Sequence, residues 1–331
     1  MAEPQTPLLS IRGLEVRYET DEAITHAVNG INLDINVGET VGLVGETGAG
    51  KTTTALAVMR LLPHRTGKIT EGCILFRGED VLRKSNGEMR QMRGERISMI
   101  FQDPMTSLNP TMTMGEQIRE SLEIHNKGMS AALTDARVDE LLTMVGIPPR
   151  RKHEYPHQFS GGMKQRIVIA IALACRPELL IADEPTTALD VTIQAQVLAL
   201  MNELKESMRT SMILITHDLG VVSEMCDKVA IMYAGEIIER GSADDILDDG
   251  PHHPYTVGLF NSIPDIERES KRLSPIAGLM PDPAALPGGC KFHPRCGDAA
   301  DACRSLAPPP FVSGEHIIAC HKFGSSNGGR I

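Results

Sequence analysis

Residues 40–62 read TVGLVGETGAGKTTTALAVMRLL, and this stretch decides the fold of the chain. A short apolar run, 40–44, leads into a glycine-rich turn, 45–50, and a segment of good helix formers begins at Lys51. The turn fits the pattern Gly-x-x-x-x-Gly-Lys-[Ser/Thr] in the strand–loop–helix context that the pattern requires. Glycines let several backbone N–H groups curl inward, and the helix adds the positive end of its dipole. The stretch therefore predicts a site for nucleotide phosphates.

Two side chains of this loop have predicted roles in holding a nucleotide. Lys51 would reach the β- and γ-phosphates, and the hydroxyl of Thr52 would ligate Mg²⁺. An unrelated glycine-rich turn is the alternative, and the flanking strand and helix argue against it. The residues of this loop that we predict to bind the nucleotide are Gly45, Glu46, Thr47, Gly48, Ala49, Gly50, Lys51, Thr52 and Thr53.

The composition is that of a soluble globular protein with an ample core. The chain has 331 residues, of which 41% are hydrophobic and 23% are charged. Its 43 acidic and 33 basic residues give a net charge of −10, so no basic footprint for nucleic acid is visible. The absence of tryptophan and the 3% aromatic content leave few platforms for stacking bases. We therefore expect no nucleic-acid partner.

No stretch of the sequence has the pattern of a signal peptide or of a membrane span. The N-terminal MAEPQTPLLS lacks the basic and apolar regions of a secretory signal. The longest apolar run, 167–175, is too short to cross a bilayer. We expect a cytosolic protein that could dock on a membrane partner at the cytoplasmic face of the cell membrane. Its seven cysteines are not expected to form disulfides there.

Strands alternate with helices from residue 40 to about 240, which predicts an α/β fold with a parallel-sheet core. Two strands, 8–18 and 27–35, precede the loop and predict a small antiparallel sheet. A hairpin is predicted around residues 234–235. Of the 21 prolines, 11 lie from Ile246 onward, which predicts an irregular extension there. The predicted domains are 1–245, with a helical subdomain at about 103–164, and 246–331.

Two acidic residues follow the near-continuous apolar run at 178–182. This run predicts a buried strand, and α/β folds place ligands at the C-terminal ends of such strands. Asp183 would hold Mg²⁺, directly or through water, and Glu184 would polarise the water that attacks the γ-phosphate. A solvated acidic turn is the alternative interpretation.

Three further features allow both a functional and a structural interpretation. The Ser-Gly-Gly sequence at 160–162 opens a predicted helix. It is either a second anion site or a simple N-cap and turn. Tyr18 ends the first strand, either stacked on a nucleotide base or as an edge-strand aromatic. His217 follows the predicted strand at 211–215, and a capping or core histidine is its alternative interpretation.

Together these motifs resemble the ATP-binding cassette family over roughly residues 8–241. Residues 45–53 match its phosphate loop, and Tyr18 sits where the family places an adenine-stacking aromatic. Gln102 matches its glutamine loop, and His217 its switch histidine. Because independent motifs occur in the family's order, the resemblance is specific.

Three more motifs of the family match. The resemblance identifies the signature as Ser160, Gly161 and Gly162, the Mg²⁺ strand and catalytic glutamate as Asp183 and Glu184, and the dimer-contact loop as Ala188, Leu189 and Asp190. Phe159 and Met163 depart from the usual leucine and glutamine that flank the phosphate-contacting residues. We expect no loss of activity from either departure.

The resemblance implies an ABC-type ATPase that uses ATP and Mg²⁺. The catalytic residues that it implies are Lys51, Gln102, Glu184 and His217, and those that it places at the Mg²⁺ are Thr52, Gln102 and Asp183. A second cassette would contribute its Ser-Gly-Gly helix end across the interface, so that ATP is sandwiched between two chains. Hydrolysis removes the phosphate that both chains grip, and the dimer opens.

The proline-rich extension holds a group of cysteines. Four lie within 31 residues, namely Cys290, Cys296, Cys303 and Cys320. Such a group in a segment with little core suggests a covalent or metal staple. The spacing lacks the Cys-x2-Cys of common zinc sites, four thiolates suit a cubane iron–sulfur cluster, and free thiols are the third possibility. The nearby histidines are interpreted as solvated loop residues: His293, His316 and His321.

The sequence His253-Pro254-Tyr255-Thr256 precedes this cysteine set. The two features together resemble the C-terminal extension of ATPases that serve dipeptide and oligopeptide importers. In relatives of that type, the four cysteines hold a [4Fe–4S] cluster. The resemblance therefore implies such a cluster on the four cysteines of this chain.

The same resemblance implies the energy-coupling subunit of a bacterial-type importer for dipeptides and oligopeptides. Its partners would be two transmembrane permease subunits, a second ATP-binding subunit, identical or paralogous, and indirectly an extracytoplasmic substrate-binding protein. The methionine-rich segment at about 105–145 would receive the coupling helix of a permease. A nickel or glutathione importer is one alternative. A soluble cassette ATPase acting on nucleic acid or ribosomes is the other, and the acidic charge and single cassette argue against it.

Overall fold

The computed structural model describes residues 6–187, 189–262 and 276–324. In chain order, the strands are β1 (Leu9–Glu19), β2 (Ile24–Ile35), β3 (Thr40–Val44), β4 (Gly67–Phe76), β5 (Glu79–Asp80), β6 (Ile97–Ile100), β7 (Leu179–Asp183), β8 (Ser211–Thr216), β9 (Lys228–Tyr233), β10 (Glu236–Ser242), β11 (Pro310–Ser313) and β12 (His316–Ala319).

The α-helices occupy the stretches between these strands. They are α1 (Lys51–Val58), α2 (Asn86–Glu95), α3 (Pro104–Ser107), α4 (Met114–His125), α5 (Ala131–Met144), α6 (Gly161–Leu173), α7 (Val191–Met208), α8 (Leu219–Met225), α9 (Ala243–Leu247), α10 (Pro254–Asn261) and α11 (Ala302–Ser305). None of the helices in the described part of the chain is both long enough and apolar enough to cross a membrane.

The chain forms two compact units. The first comprises the described residues up to Asp34, Val41–Leu82 and the described residues from Thr216 onward. It contains an antiparallel sheet with the strand order β2-β1-β4-β5, so the predicted small antiparallel sheet is confirmed. One face of this sheet is buried, with residues such as Leu9, Ile11 and Leu14 on β1, as is typical of an antiparallel sheet that packs on a core.

The first unit also contributes strands in the order β11-β12-β10-β9-β3 to a second sheet. Strand β3 pairs with β9 in parallel, and β9 pairs with β10 in the predicted hairpin. The hairpin turn is tight because Ala234 and Gly235 both have positive φ, at 47° and 82°, which suits the twist of the flanking strands. Beyond the hairpin, β12 pairs with β10, and β11 pairs with β12.

The C-terminal extension is therefore less irregular than the proline content predicts. Pro310 opens β11, the last strand at this edge of the sheet, where a residue without an N–H group breaks no ladder. The extension also shares a core with β3 and β9. Tyr233 of β9 packs edge-on against Tyr255 at 4.7 Å and Phe292 at 5.2 Å between ring centroids. Both Tyr233 and Tyr255 are fully buried.

The second unit comprises Ile35–Thr40 and Arg83–Ile215, of which residue 188 is not described. Its strands β6 and β7 pair in parallel, as do β7 and β8. All five residues of β7 are buried, which confirms the prediction of a strand covered on both faces. The helices α4, α5, α6 and α7 also belong to this unit.

Candidate functional site

The predicted phosphate loop lies between β3 and α1 in the first unit. Gly50 precedes the helix with φ at 105°, and no side chain caps the first turn of α1. The backbone donors of that turn are thus not satisfied by a capping side chain, as anion binding at a helix N-terminus requires. A Cβ at Gly45 would lie 2.2 Å from the carbonyl oxygen of Met232, and one at Gly50 would lie 2.4 Å from that of Ala27. Only glycine fits these two positions.

The Lys51 ammonium group lies over this loop. Lys51 is 6% exposed, and its Nζ donates to the carbonyl oxygens of Gly45 at 2.5 Å and Glu46 at 3.0 Å. Thr52 next to it is exposed, as a hydroxyl that is to ligate Mg²⁺ needs to be. The loop thus carries a cation at its centre and an accessible hydroxyl beside it.

Tyr18 is half-buried and lies beside the start of α1. Its hydroxyl and that of Thr53 are 3.2 Å apart, which is hydrogen-bond distance. Strand β1 lies between β2 and β4, so Tyr18 is not on an edge strand, and that alternative interpretation is wrong. His217 also belongs to the first unit, where it is exposed and directly follows β8. It is not a core histidine; its neighbour Asp218 is the residue that caps α8.

The remaining residues predicted for the nucleotide site belong to the second unit. Asp183 ends β7 and is 2% exposed, which argues against a solvated turn at this position. Glu184 follows with φ at 47°, a left-handed conformation that non-glycine residues adopt mainly where the surrounding structure imposes it. Gln102 Nε2 and the Thr187 hydroxyl each donate to Glu184 Oε2 at 3.0 Å. The structure therefore brings Gln102 and Glu184 together.

The Ser-Gly-Gly signature opens α6 on the surface of the second unit. Ser160 and Gly161 are exposed, and Ser160 is the N-cap whose hydroxyl accepts from the Met163 N–H at 3.4 Å. The N-cap interpretation is therefore realised in the isolated chain. A Cβ at Gly162 would lie 2.4 Å from Ile193 Cγ2, so glycine is required for the approach of α7.

The flanking departures Phe159 and Met163 share one neighbour. Phe159 is buried, and the Arg151 guanidinium lies 4.2 Å from its ring centroid, within the range of a cation–π contact. Met163 Sδ is 3.4 Å from Arg151 Nη1. Within the dimer-contact loop, Asp190 caps α7 by accepting from the Ile193 N–H at 3.0 Å, whereas Ala188 lies outside the described residues.

The four cysteines of the extension line one cavity of about 230 Å³ in the first unit, together with Phe292 and His253. Burial raises the pKa of the Cys290 thiol to about 11, and it also raises the pKa values of Cys296 and Cys320. In the part of the chain that the structure describes, no three of these sulfurs lie within 4.8 Å of one another. Thiolates around a single tetrahedral Zn²⁺ stand roughly 3.8 Å apart, so the geometry does not fit that ion.

A buried polar group on β10 is absent from the predicted sites. Glu239 is fully buried, and its Oε1 is 2.7 Å from His252 Nδ1 and 2.8 Å from His316 Nε2. Its Oε2 accepts from the His253 N–H and the Thr256 hydroxyl. The prediction that His316 is solvated is wrong, because its ring is buried against this carboxylate. The sequence of the strand, EIIERGS, gives no sign of the group.

This buried group is held by hydrogen bonds. One carboxylate oxygen of Glu239 and one ring nitrogen each of His252 and His316 lie within 4.8 Å of one another, as the ligand atoms of a metal ion would. Ligand atoms around a Zn²⁺ ion would stand more than about 3 Å apart, farther than the nitrogen–oxygen distances observed here. Burial alone would raise the pKa of Glu239, but the hydrogen bonds from His252, His316 and Thr256 outweigh it and lower the pKa to about 2. The hydrogen bond to Glu239 in turn raises the pKa of His252.

Comparison with known proteins places these features in a family. A family model described as "ABC transporter" matches residues 28–187. A second, described as "Oligopeptide/dipeptide transporter, C-terminal region", matches residues 238–303. The dimeric ATP-binding cassette MJ0796, solved with ADP and Pi bound, aligns with a TM-score of 0.64 at 28% identity, covering 71% of this chain and 98% of that one.

Two curated relatives match along nearly the whole chain. The dipeptide transport ATP-binding protein DppD of Bacillus subtilis is 49% identical over 316 residues, covering 95% of this chain and 94% of the relative. The oligopeptide transport ATP-binding protein OppD of Salmonella typhimurium is 48% identical over 322 residues, covering 97% and 95%.

The sheet, the phosphate loop and these similarities define an ATP-binding cassette, and the protein is an ABC-type ATPase that uses ATP and Mg²⁺. The chain belongs to the ABC transporter family, and within it to the ATP-binding proteins of oligopeptide and dipeptide transport. The predicted family, fold class and enzymatic activity are confirmed.

Proposed function

We propose that this protein is the ATP-hydrolysing energy-coupling subunit of an importer for dipeptides and oligopeptides. The observation that carries the proposal is the similarity of nearly the whole chain, cassette and extension together, to dipeptide and oligopeptide transport ATP-binding proteins. The extension shares a core with β3 and β9 of the cassette, which supports a joint function of the two parts.

In this function the phosphate loop holds the nucleotide. Lys51 leaves its two carbonyl partners to bind the β- and γ-phosphates, and Thr52 offers its hydroxyl to Mg²⁺. The uncapped start of α1 supports phosphate binding by the loop backbone. Tyr18 supplies a ring for stacking on the adenine. The remaining loop positions that line the phosphates are Gly45, Glu46, Thr47, Gly48, Ala49, Gly50 and Thr53.

Four further residues take part in hydrolysis. Asp183 binds Mg²⁺ with Gln102, and Glu184 accepts a proton from the attacking water. The contact between Gln102 and Glu184 supports a common task, since a residue that senses the γ-phosphate then also orients the base. His217 completes the set as the residue that responds to the γ-phosphate.

Turnover requires a second cassette, identical or paralogous. Ser160 and Gly161 are exposed at the start of α6, which leaves them available to the nucleotide of another chain. Gly162 allows the tight packing that fixes this helix start, and Asp190 lies in the loop that would contact the partner. ATP is then gripped by two chains, and its hydrolysis opens the dimer.

The other partners are two transmembrane permease subunits and, indirectly, an extracytoplasmic substrate-binding protein. The surface around 105–145 would receive a permease helix, and the protein would work at the cytoplasmic face of the membrane. We also retain the domain division into a cassette at 1–245, with a helical subdomain at about 103–164, and an extension at 246–331.

We propose that the four cysteines hold a [4Fe–4S] cluster, as the resemblance of the extension implies. The sulfurs of Cys290, Cys296, Cys303 and Cys320 surround one space, yet no three of them are close enough for a single tetrahedral ion among the described residues. Ligation would deprotonate thiols that burial otherwise keeps neutral, so the metal would stabilise the fold of the extension. Such a cluster supplies electron-transfer chemistry or a structural staple.

Two experiments test these proposals. The chain is co-purified from membranes with its permeases, and ATP hydrolysis is measured with binding protein loaded with peptide, nickel or glutathione. We expect the peptide-loaded binding protein to stimulate ATP hydrolysis. If only the nickel-loaded or only the glutathione-loaded form stimulates it, that compound is the cargo and the peptide proposal is wrong.

For the cluster, anaerobically purified protein is assayed for iron and visible absorbance. The Cys296→Ser variant should lose both, the control Cys73→Ser on β4 should keep both, and iron-free wild type would refute the cluster.

A further inference from the structure

One residue of the phosphate loop, Glu46, is held by the C-terminal extension. The Glu46 N–H donates to the phenolic oxygen of Tyr255 at 2.8 Å, where Tyr255 belongs to α10 of the extension. The Arg295 guanidinium donates two hydrogen bonds to the Glu46 carboxylate, at 2.7 and 3.1 Å. Charge-assisted, two-point contacts of this kind are the strong and geometrically specific ones.

Other contacts hold the Arg295 side chain in place beside the loop. Its Nε donates to the Ala277 carbonyl oxygen at 2.9 Å, and Nη1 contacts the Tyr233 hydroxyl at 3.4 Å. Its side chain is only 5% exposed, so the ion pair is shielded on this side from salt and water. A guanidinium held in this way presents a preorganised fork to Glu46.

Glu46 also contacts the ammonium group that the ATPase needs. The Glu46 carbonyl oxygen accepts from Lys51 Nζ at 3.0 Å. The extension and Lys51 therefore meet at a single residue, through its N–H and carboxylate on one side and its carbonyl on the other. The contacts of Glu46 with Tyr255 and Arg295 do not involve this carbonyl.

We propose that Arg295 and Tyr255 are positioning residues of the ATP site, which hold the phosphate loop in its nucleotide-binding shape through Glu46. The inference rests on the assignment of residues 45–53 to the phosphates of ATP. Without the two contacts the loop would sample other shapes in the free chain, and binding would have to select the competent one. Apparent affinity falls in proportion to the competent fraction, whereas the fully bound site is unchanged.

The test compares wild type with Arg295→Ala, Arg295→Lys and Tyr255→Phe as full-length chains. Equilibrium binding of Mg-ATP is measured on the chain, and KM and kcat for ATP are measured in the permease complex. We expect Arg295→Ala to raise Kd and KM about tenfold while kcat stays within about twofold, and Arg295→Lys to restore part of the affinity. Tyr255→Phe removes a single acceptor and should raise Kd several-fold.

The control is Arg12→Ala, which removes another arginine–carboxylate pair of the first unit, the one with Asp34. This variant should leave Kd and KM unchanged. A double-mutant cycle of Glu46→Ala with Arg295→Ala then separates positioning from general destabilisation, because residues that act through each other give non-additive effects.

Three outcomes are decisive. A raised KM with constant kcat and a non-additive cycle supports the inference. The inference is wrong if Arg295→Ala and Tyr255→Phe bind Mg-ATP as tightly as wild type and thermal melting shows that both variants are folded. That result would leave the proposed ATPase function intact. A wild-type chain that does not bind Mg-ATP at all would instead refute the nucleotide site on which the inference rests.

Discussion

The side-chain amide of Gln102 donates a hydrogen bond of 3.0 Å to the carboxylate of Glu184. The same carboxylate oxygen accepts from the hydroxyl of Thr187, and the backbone of Glu184 is in a left-handed conformation. Two donors and an imposed backbone thus fix where this carboxylate points. A general base needs such orientation before it needs any particular pKa.

Replacing Glu184 with glutamine should almost abolish ATP turnover while keeping ATP bound. The amide keeps the size of the side chain but cannot take a proton, and a general base typically contributes about 10²- to 10⁴-fold. ATP would then hold two cassettes together, so the dimer should accumulate in size-exclusion chromatography with Mg-ATP. The control is Glu178→Gln. Glu178 directly precedes β7 at the end opposite Glu184 and pairs with Arg96, so this variant should hydrolyse ATP at the normal rate. Near-normal hydrolysis by Glu184→Gln would remove this residue from the mechanism.

Ser160 and Ser130 make a matched pair for testing the signature. Both are helix N-caps, of α6 and α5, whose hydroxyls accept from the backbone three residues on. Replacing either with alanine should cost about 1 kcal/mol of stability through the lost cap. Only Ser160→Ala should also lower ATP turnover of the assembled transporter, because only Ser160 would touch the partner's nucleotide. Equal turnover in the two variants would mean that Ser160 acts as a cap alone.

Gly162 should tolerate alanine only if space is made on α7. The added Cβ would meet Ile193 Cγ2 at 2.4 Å, and a β-branched side chain has little rotamer freedom to move away. Overpacking of this kind costs about 1 to 3 kcal/mol, partly offset by the better helix propensity of alanine. The double variant Gly162→Ala/Ile193→Ala should recover part of the loss in urea unfolding. If the single variant is as stable as wild type, the helix contact is not tight.

The local features of this fold follow from the sequence, and the long-range ones do not. Strand β3 is observed at the predicted residues, and α4 and α5 begin where Thr113 and Ser130 provide N-caps. Such signals act over a few residues and can be read from a single chain. The bond between Glu46 and Arg295 joins residues 249 positions apart, and no local pattern announces it.

The candidate site shows the same division. The residue types of the phosphate loop follow from its backbone geometry, because a Cβ at Gly45 would collide with a carbonyl oxygen of β9. The position of Gln102 beside Glu184 depends on two strands pairing in a parallel sheet. The buried carboxylate of Glu239 could not be predicted, because its partners come from two distant segments, 252–256 and the start of β12, that the tertiary fold brings together.

The buried pair of Glu239 and His252 should make stability depend on pH in two directions. The pKa of Glu239 falls from 4.5 to about 2 on folding, so its contribution is present above pH 4.5 and is lost as the pH falls toward 2. The pKa of His252 is raised above 6.5, so its contribution is present below that pH and is lost as the pH rises through the folded value. The pair therefore stabilises the fold most between about pH 4.5 and 6.5.

Glu239→Gln should consequently be most destabilising in that window, by about 3 kcal/mol, because it leaves a buried imidazolium without its counter-charge. The measurement is the free energy of urea unfolding of wild type and variant at pH values from 3 to 9. The difference should shrink toward pH 3 and again above neutral pH. Glu315→Gln is the control, since Glu315 is 71% exposed in its ion pair with Lys228 and should change stability by less than about 0.5 kcal/mol at any pH. A difference between wild type and Glu239→Gln that stays constant from pH 3 to 9 would show that Glu239 is not paired with a charged histidine.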